Sequence, residues 1–415
     1  MRLPELLAYI IEILRKDRAA LLACSLTCST WHAASRPYIY YSISLDSYAK
    51  CTKLQILIDE LPIIGRWVRK LKIVGHYNDL GWIPTFPLVL CDQLRRLHTI
   101  TFQNVRFSQL YLDPEWVTAS GFAYFRRLRT LKFLDGCQLK DPELRSIICS
   151  VRNLRNLTLD GVILRAAPQE SFSQLFTPNV TSVRIGLFCD LANNGFDTWL
   201  TNAGSSHHIR SLVLQVPAFG SSMDWRAFGP ALESLAIYDS QSILRHYTFF
   251  SAFDVSPCRC LRRLAVTDFH CKAGTIDLLK RLPSPQILTH FKFSSLFHGK
   301  IEGRRYDTYQ ELDCLLSSST FSSLERFYCV YSRLVKRGRE DRIVERLATL
   351  FPRLVARGVM RVHFVVESEL PPMFDDHGSR IPQGRDSTIG AAIQKGDELG
   401  YLEDFVPTLN LTQAV

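Results

Sequence analysis

From Val68 onward the chain repeats one short phrase: an apolar residue, two spacers, a second apolar residue, one spacer, and a third. It runs through Val68-Leu71-Ile73, Leu97-Ile100-Phe102, Leu128-Leu131-Phe133, Leu154-Leu157-Leu159, Val180-Val183-Ile185 and Ile209-Leu212-Leu214. It continues through Leu232-Leu235-Ile237, Leu261-Leu264-Val266, Leu288-Phe291-Phe293, Leu324-Phe327-Cys329 and Val359-Val362-Phe364, with successive starts 23 to 36 residues apart. The alternation at the end of each phrase predicts a short strand with one buried face. A repeating L-x-x-L-x-L core at this period is the signature of a leucine-rich repeat, in which each strand stacks in parallel on the next. Spacers such as Arg129 and Thr130, Arg155 and Asn156, or Arg262 and Arg263 are polar, as solvent-facing positions require.

Between phrases lie helix-compatible runs such as Asp141 to Cys149, with Asp141 as N-cap and Pro142 as first helical residue. These predict helices on the convex side of a curved solenoid, so the fold class is α/β. Regular repeats carry Asn or Cys three positions after the last apolar residue. Gly136, Val162 and Phe269 stand there instead, so the repeats are degenerate and each turn must satisfy its backbone in another way.

Two spans interrupt the rhythm, 294–320 and 333–361. Long connections on a repeat array often lie on its binding face, which makes Lys300, Arg304, Arg305, Lys336, Arg337 and Arg339 candidate substrate-facing residues. The alternative is that both spans are solvated insertions. Beyond Ser368 the rhythm stops, and the Pro, Gly and Asp content predicts a loosely ordered tail.

The first forty-five residues follow a helical period instead. Pro4 opens a helix whose Leu6, Leu7, Ile10, Ile11 and Leu14 recur at helical spacing; Asp17 is placed to cap a second, Ala19 to Ala23; Cys28, Trp31 and Ala34 carry a third, which Pro37 closes. A connecting helix follows and ends at Pro62. The segments Leu3-Pro4-Glu5-Leu6, Ile10-Ile11-Glu12-Ile13-Leu14 and Ala20-Leu21-Leu22-Ala23-Cys24-Ser25-Leu26-Thr27-Cys28-Ser29-Thr30-Trp31 together resemble an F-box, in the version found in fungal F-box proteins.

The resemblance implies docking to the Skp-type adaptor of a cullin–RING ubiquitin ligase. The adaptor-binding residues would be Leu3, Pro4, Glu5, Leu6, Ile10, Ile11, Leu14, Leu21, Leu22, Cys24, Leu26, Cys28 and Trp31. The expected organisation is an F-box over 1–45, a leucine-rich-repeat-like solenoid over 46–366 and an acidic tail over 367–415. The implied role is non-enzymatic: the helices hold the adaptor, the solenoid holds a protein substrate, and proximity does the rest. One alternative is a non-ligase repeat scaffold whose F-box-like helices cap the solenoid; another is a basic solenoid that binds nucleic acid.

Composition sharpens this picture in three places. From Glu367 to the end there are nine acidic residues against three basic, a net of −6, which leaves +16 on the first 366 residues of a chain whose total is +10. A basic body is compatible with an acidic protein partner, and with nucleic acid if its cations neutralise phosphates; they are scattered through the spacers, which favours the protein. The tail could in turn fold back on the basic body. No apolar stretch is long enough to span a membrane and Glu5 and Glu12 break any signal-like run, so a cytoplasmic or nuclear location is expected, with the twelve cysteines reduced.

Chemistry-bearing motifs are sparse. No phosphate-cradling glycine loop, H-E-x-x-H or G-x-S-x-G occurs. Cys258, Cys260, His270 and Cys271 have zinc-type donors, but a one-residue C-x-C gap and an intervening strand oppose a site. Cys24 and Cys28, four apart, read as packing residues. The expectation is therefore no catalytic residue, no metal and no cofactor.

Overall fold

The computed structural model describes residues 3–15, 17–76, 81–107, 121–165, 179–186, 208–216, 229–239, 254–267, 273–295, 304–331, 340–364 and 409–410. The chain divides into two compact units, the first formed by Met1–Ile209 with Ser221–Met223 and the second by Arg210–Gly220 with Asp224–Val415. Among the described residues no helix is long and apolar enough to cross a membrane.

The first unit opens with three helices, α1 (Leu3–Leu14), α2 (Arg18–Ser25) and α3 (Ser29–Ile39). Asp17 caps α2 as its spacing predicts, its carboxylate accepting from the Ala20 N–H at 2.9 Å. Pro37, however, does not close α3; it sits inside the last turn and the helix runs on to Ile39. A ladder of parallel strands follows: β1 (Ser42–Leu45), β2 (Lys70–Val74), β3 (Thr99–Gln103), β4 (Thr130–Leu134), β6 (Asn156–Leu159) and β8 (Ser182–Ile185). Two outer strands, β5 (Gln138–Lys140) and β7 (Ile163–Arg165), pair with each other beside it. Helices α4 (Tyr48–Glu60) and α5 (Ile63–Trp67) join β1 to β2.

In the second unit β9 (Ser211–Val216), β10 (Ser234–Asp239), β11 (Arg263–Thr267), β12 (His290–Ser295), β13 (Arg326–Tyr331) and β14 (Met360–Phe364) are likewise parallel. A two-residue strand, β15 (Leu409–Asn410), pairs antiparallel with β14. Both units are thus α/β and built as a leucine-rich-repeat-like solenoid, one parallel strand per repeat.

The strand register follows the apolar phrase. Leu71, Ile100, Leu131, Leu157 and Val183 are successive partners, as are Ile73, Phe102, Phe133, Leu159 and Ile185, and all are buried. A further rung, Ile43 and Leu45 of β1, precedes them. The last phrase is the one read out of frame: Phe327 pairs with Met360 and Cys329 with Val362, two residues from the Val359-Val362-Phe364 reading. Val359, Met360 and Val362 are all buried, so the apolar pattern alone admits both frames. The structural frame puts Arg357 in the leading position, where its guanidinium donates to the carbonyls of Leu316, Phe321 and Leu324 at 2.7, 3.3 and 3.3 Å.

The missing Asn is replaced by backbone. Asn104 donates to the Asp135 carbonyl at 3.0 Å, Asp135 to that of Asp160 at 2.9 Å and Gly136 to that of Gly161 at 2.9 Å, so each turn closes on the next. Asn104 and Asp135 hold φ of 55° and 39°, and Gly136 and Gly161 hold 75° and 66°, left-handed values that Asn, Asp and Gly tolerate best. Gly136 is an extra residue in its turn. The parallel register therefore aligns Cys137, not Gly136, with Val162, and Cys137 is fully buried; that burial pushes its thiol up to about 12. Asp141 is likewise not the N-cap of its helix (Asp141–Ser150). Lys140 is, with its N–H bound by Glu143 at 2.8 Å, while Asp141 pairs with Arg145.

The second unit holds an acid in a structural role. Asp313, 2% exposed, accepts from the N–H groups of Arg353 and Leu354 at 3.1 and 3.0 Å and so caps the helix Pro352–Ala356 from the helix Arg304–Leu316. Burial pushes its carboxyl up and the two N–H bonds pull it back. Asp313→Ala orphans both donors and is expected to destabilise this unit by about 2–3 kcal/mol, read as a lower denaturant midpoint at unchanged slope. Asp313→Asn keeps an acceptor and should recover much of the loss.

A candidate docking surface on the N-terminal helices

The three N-terminal helices close a small core of their own. Ile11, Leu21 and Ile39, one from each helix, are 1%, 1% and 9% exposed, and Leu7, Leu14, Cys24, Trp31, Ala34 and Tyr38 pack around them. Polar contacts lock the packing: Tyr38 Oη donates to Glu12 Oε2 at 2.7 Å, Glu12 also pairs with Arg15, and Ser35 Oγ donates to the Trp31 carbonyl at 2.8 Å. The Glu12 carboxylate in turn holds the Tyr38 phenol above its ordinary range.

This core sorts the sequence-predicted adaptor-binding residues. Ile11 and Leu21 lie inside the three-helix core, so they hold the helices together and present no surface to a partner. Ile10 is half-buried, as are Leu14, Cys24 and Trp31, the last three packed on the core. Glu5, Leu6, Leu22, Leu26 and Cys28 are exposed. Leu3 and Pro4 begin α1, but their side chains lie outside the described residues. Trp31 thus packs on this core while keeping part of its ring at the surface.

What pattern reading missed is the second apolar face of α1. Leu6, Tyr9 and Ile13 are 43%, 59% and 61% exposed, and their spacing of three and four places them along one stripe, away from Leu7, Ile11 and Leu14. Leu22 on α2 and Leu26 at its C-cap, four apart, are 44% and 86% exposed. A helix that is apolar on two faces is expected where a second partner covers it.

The helices are joined firmly to the repeat ladder. Only Tyr40 and Tyr41 separate α3 from β1. Tyr40 stacks on Trp67 of α5 with ring centres 6.2 Å apart, Arg36 of α3 lies 5.6 Å over the same indole, and the Tyr41 carbonyl accepts from Arg69 and Lys70. The orientation of the helical module on the first repeats is therefore set by packing rather than by a linker.

The other candidates fare differently. Lys300, Lys336, Arg337 and Arg339 lie outside the described residues; Arg304 and Arg305 begin a helix, their side chains outside the description. Of the zinc-type donors, Cys258 is buried with its thiol pushed up to about 11, Cys260 is exposed, and His270 and Cys271 lie outside the described residues. Among the described residues no group of three or more His, Cys, Asp or Glu could hold a metal ion. Cys28, preceding α3, faces the Trp31 N–H, which holds its thiol below the ordinary range.

No protein-family model matches the chain, and no curated protein matches it. Among solved structures it is similar to LegL7, a leucine-rich repeat-containing protein from Legionella pneumophila, at 12% identity and a TM-score of 0.39 over 82% of this chain and 100% of that one. It is also similar to the crystal structure of the Rad7 and Elc1 complex in yeast, at 13% identity and a TM-score of 0.39 over 93% of this chain and 92% of that one.

Proposed function

We propose that this repeat scaffold is the substrate-recognition subunit of a Skp–cullin–F-box ubiquitin ligase, its N-terminal helices docking the adaptor and its repeats holding a protein substrate. The observation that carries the reading is the outward apolar stripe of Leu6, Tyr9 and Ile13, with Leu22 and Leu26 beside the same small core. The F-box resemblance of 3–31 names the partner that would cover it. The role needs no catalytic group: a tethered substrate is presented at high effective concentration to the transferring enzyme.

The test is capture of a purified Skp-type adaptor by the full chain, wild type against Ile13→Asp plus Leu26→Asp. Both positions are exposed, so the variant should fold normally while losing at least about tenfold in adaptor affinity, as loss of central apolar contacts does. Absence of association in the wild type ends the reading.

A second reading has its own support. The stack of Tyr40 on Trp67, with Arg36 over the indole, is what a cap on the end of a repeat array requires. If the helices serve only as a cap, no adaptor binds.

A further inference from the structure

We infer that one edge of the first unit's ladder is a binding site for an extended acidic peptide, held by a row of basic side chains at the leading end of the strands. The inference rests on the recognition half of the proposed function and deepens it by naming a substrate chemistry.

The row is fixed by backbone pairing. The Arg69 carbonyl accepts from the N–H of His98, the His98 carbonyl from Arg129, and the Arg129 carbonyl from Arg155, at 2.9, 2.9 and 2.8 Å. These four residues are therefore successive rungs of one stack. Arg96 and Arg127 sit two residues ahead of His98 and Arg129, and the Arg69 guanidinium reaches the Arg96 carbonyl at 3.3 Å. Arg96, Arg127, Arg129 and Arg155 are exposed, while Arg69 and His98 are half-buried.

Like charges face one another here. Among the described residues no Asp or Glu forms an ion pair with any of these five arginines. Partial burial, and then the arginines around it, lower the affinity of His98 for a proton, and Arg69 is affected in the same way by burial and by Arg96 and Arg127. Such mutual repulsion is relieved when an anion binds.

The second unit supplies an internal reference. Its corresponding stack, Arg210, Glu233, Arg262, Thr289 and Glu325, is linked by the same backbone bonds but mixes the two signs, and Arg210 approaches Glu233 at 3.5 Å. A row whose charges are all of one sign is thus a property of these first-unit rungs rather than of the repeat.

Geometry selects the ligand. Three rung-to-rung steps of about 4.8 Å carry the row from Arg69 to Arg155 over roughly 14 Å. An extended peptide advances about 6.8 Å every second residue, so acidic side chains at three alternate positions span the same distance. Outward strand positions next to the row, Thr99, Thr130, Asn156 and Ser182, offer hydroxyl and amide groups to a peptide backbone. The outward strand positions of this ladder carry no aromatic ring, and the exposed ring at the rung before Arg69, that of Tyr41, already has the Lys70 ammonium 5.6 Å from its centre; single-stranded nucleic acid depends on successive free rings for stacking. An acidic peptide is the better fit.

The test is fluorescence anisotropy on the full chain at low ionic strength, with a labelled peptide carrying three glutamates separated by serines. Arg129→Glu plus Arg155→Glu should weaken binding about tenfold, the equivalent of about 1.4 kcal/mol. The charge-matched control Arg259→Glu plus Arg262→Glu, at exposed positions of the second unit, should stay within about twofold. Four results would each overturn the inference: no binding of the peptide to the wild type, equal binding by its glutamine counterpart, equal losses in the two double variants, or tighter binding of an oligothymidylate of the same charge. The titration contains no adaptor and the adaptor capture contains no peptide, so failure of one is distinguishable from failure of the other.

Discussion

Replacing Phe102 by alanine should destabilise the first unit by about 4 kcal/mol, the upper part of the range for large-to-small changes in a closed core. Phe102 is fully buried on β3 and touches rings on every side: Phe133 stacked and Phe107 edge-on, both with centres 5.2 Å away, then Phe122 at 6.0 Å and Phe86 at 6.4 Å. Its partners come from the next strand, from the turns and from the return segments, so neither the ladder nor its backing layer can close the void alone. In a repeat array each strand is supported by its neighbours, and a loss at one rung spreads to the adjacent ones. Hydrogen exchange should show protection falling first over β3 and β4. The equivalent change at Leu134, a half-buried outward position on β4, should cost well under half as much. Equal effects at the two positions would mean that the ring cluster is not the centre of the unit.

Much of this architecture is legible in the residues. The apolar phrase places the ladder strands from β2 to β8 in register within the first unit, and those from β9 to β13 within the second, because alternation leaves each strand only one way to bury its face. It fails at β14, where apolar residues at 359, 360, 362 and 364 satisfy two frames and the choice depends on Arg357 reaching three carbonyls of the preceding repeat. It also passes over β1, although Tyr40-Ile43-Leu45 has the same form once tyrosine is allowed as the leading residue. At Gly136 a single extra residue hides the buried Cys137 from position counting.

The candidate sites were less legible, for a different reason. Composition along α1 shows leucine and isoleucine throughout, but only the packed structure divides Leu7, Ile11 and Leu14 from Leu6, Tyr9 and Ile13. The basic row is invisible as a motif because its members lie 26 to 31 residues apart, at 69, 98, 129 and 155. The backbone register makes them neighbours. The candidate cations of the two long interruptions were conspicuous for the opposite reason, being close together in the chain.

Ile11→Asp and Ile13→Asp, two residues apart on α1, should separate folding from docking. Ile11 is 1% exposed at the centre of the helical core, and the nearest cation along the chain, Arg15 just past the end of α1, is already paired with Glu12. A carboxylate there loses its hydration with nothing in its place, a cost of several kcal/mol that so small a core has little capacity to absorb. Amides of α1 to α3 should therefore lose exchange protection, and adaptor capture should fail with it. The loss should stop at β1, because the Tyr41 carbonyl and the β1–β2 pairing belong to the ladder. Ile13→Asp points into solvent and should leave protection at the wild-type level while weakening capture. If both variants unfolded the helices, the outward stripe would be part of the fold; if neither affected capture, it would not be the docking face. Retained protection in the Ile11 variant would show that the three helices are held by the repeats beneath them and not by the core they share.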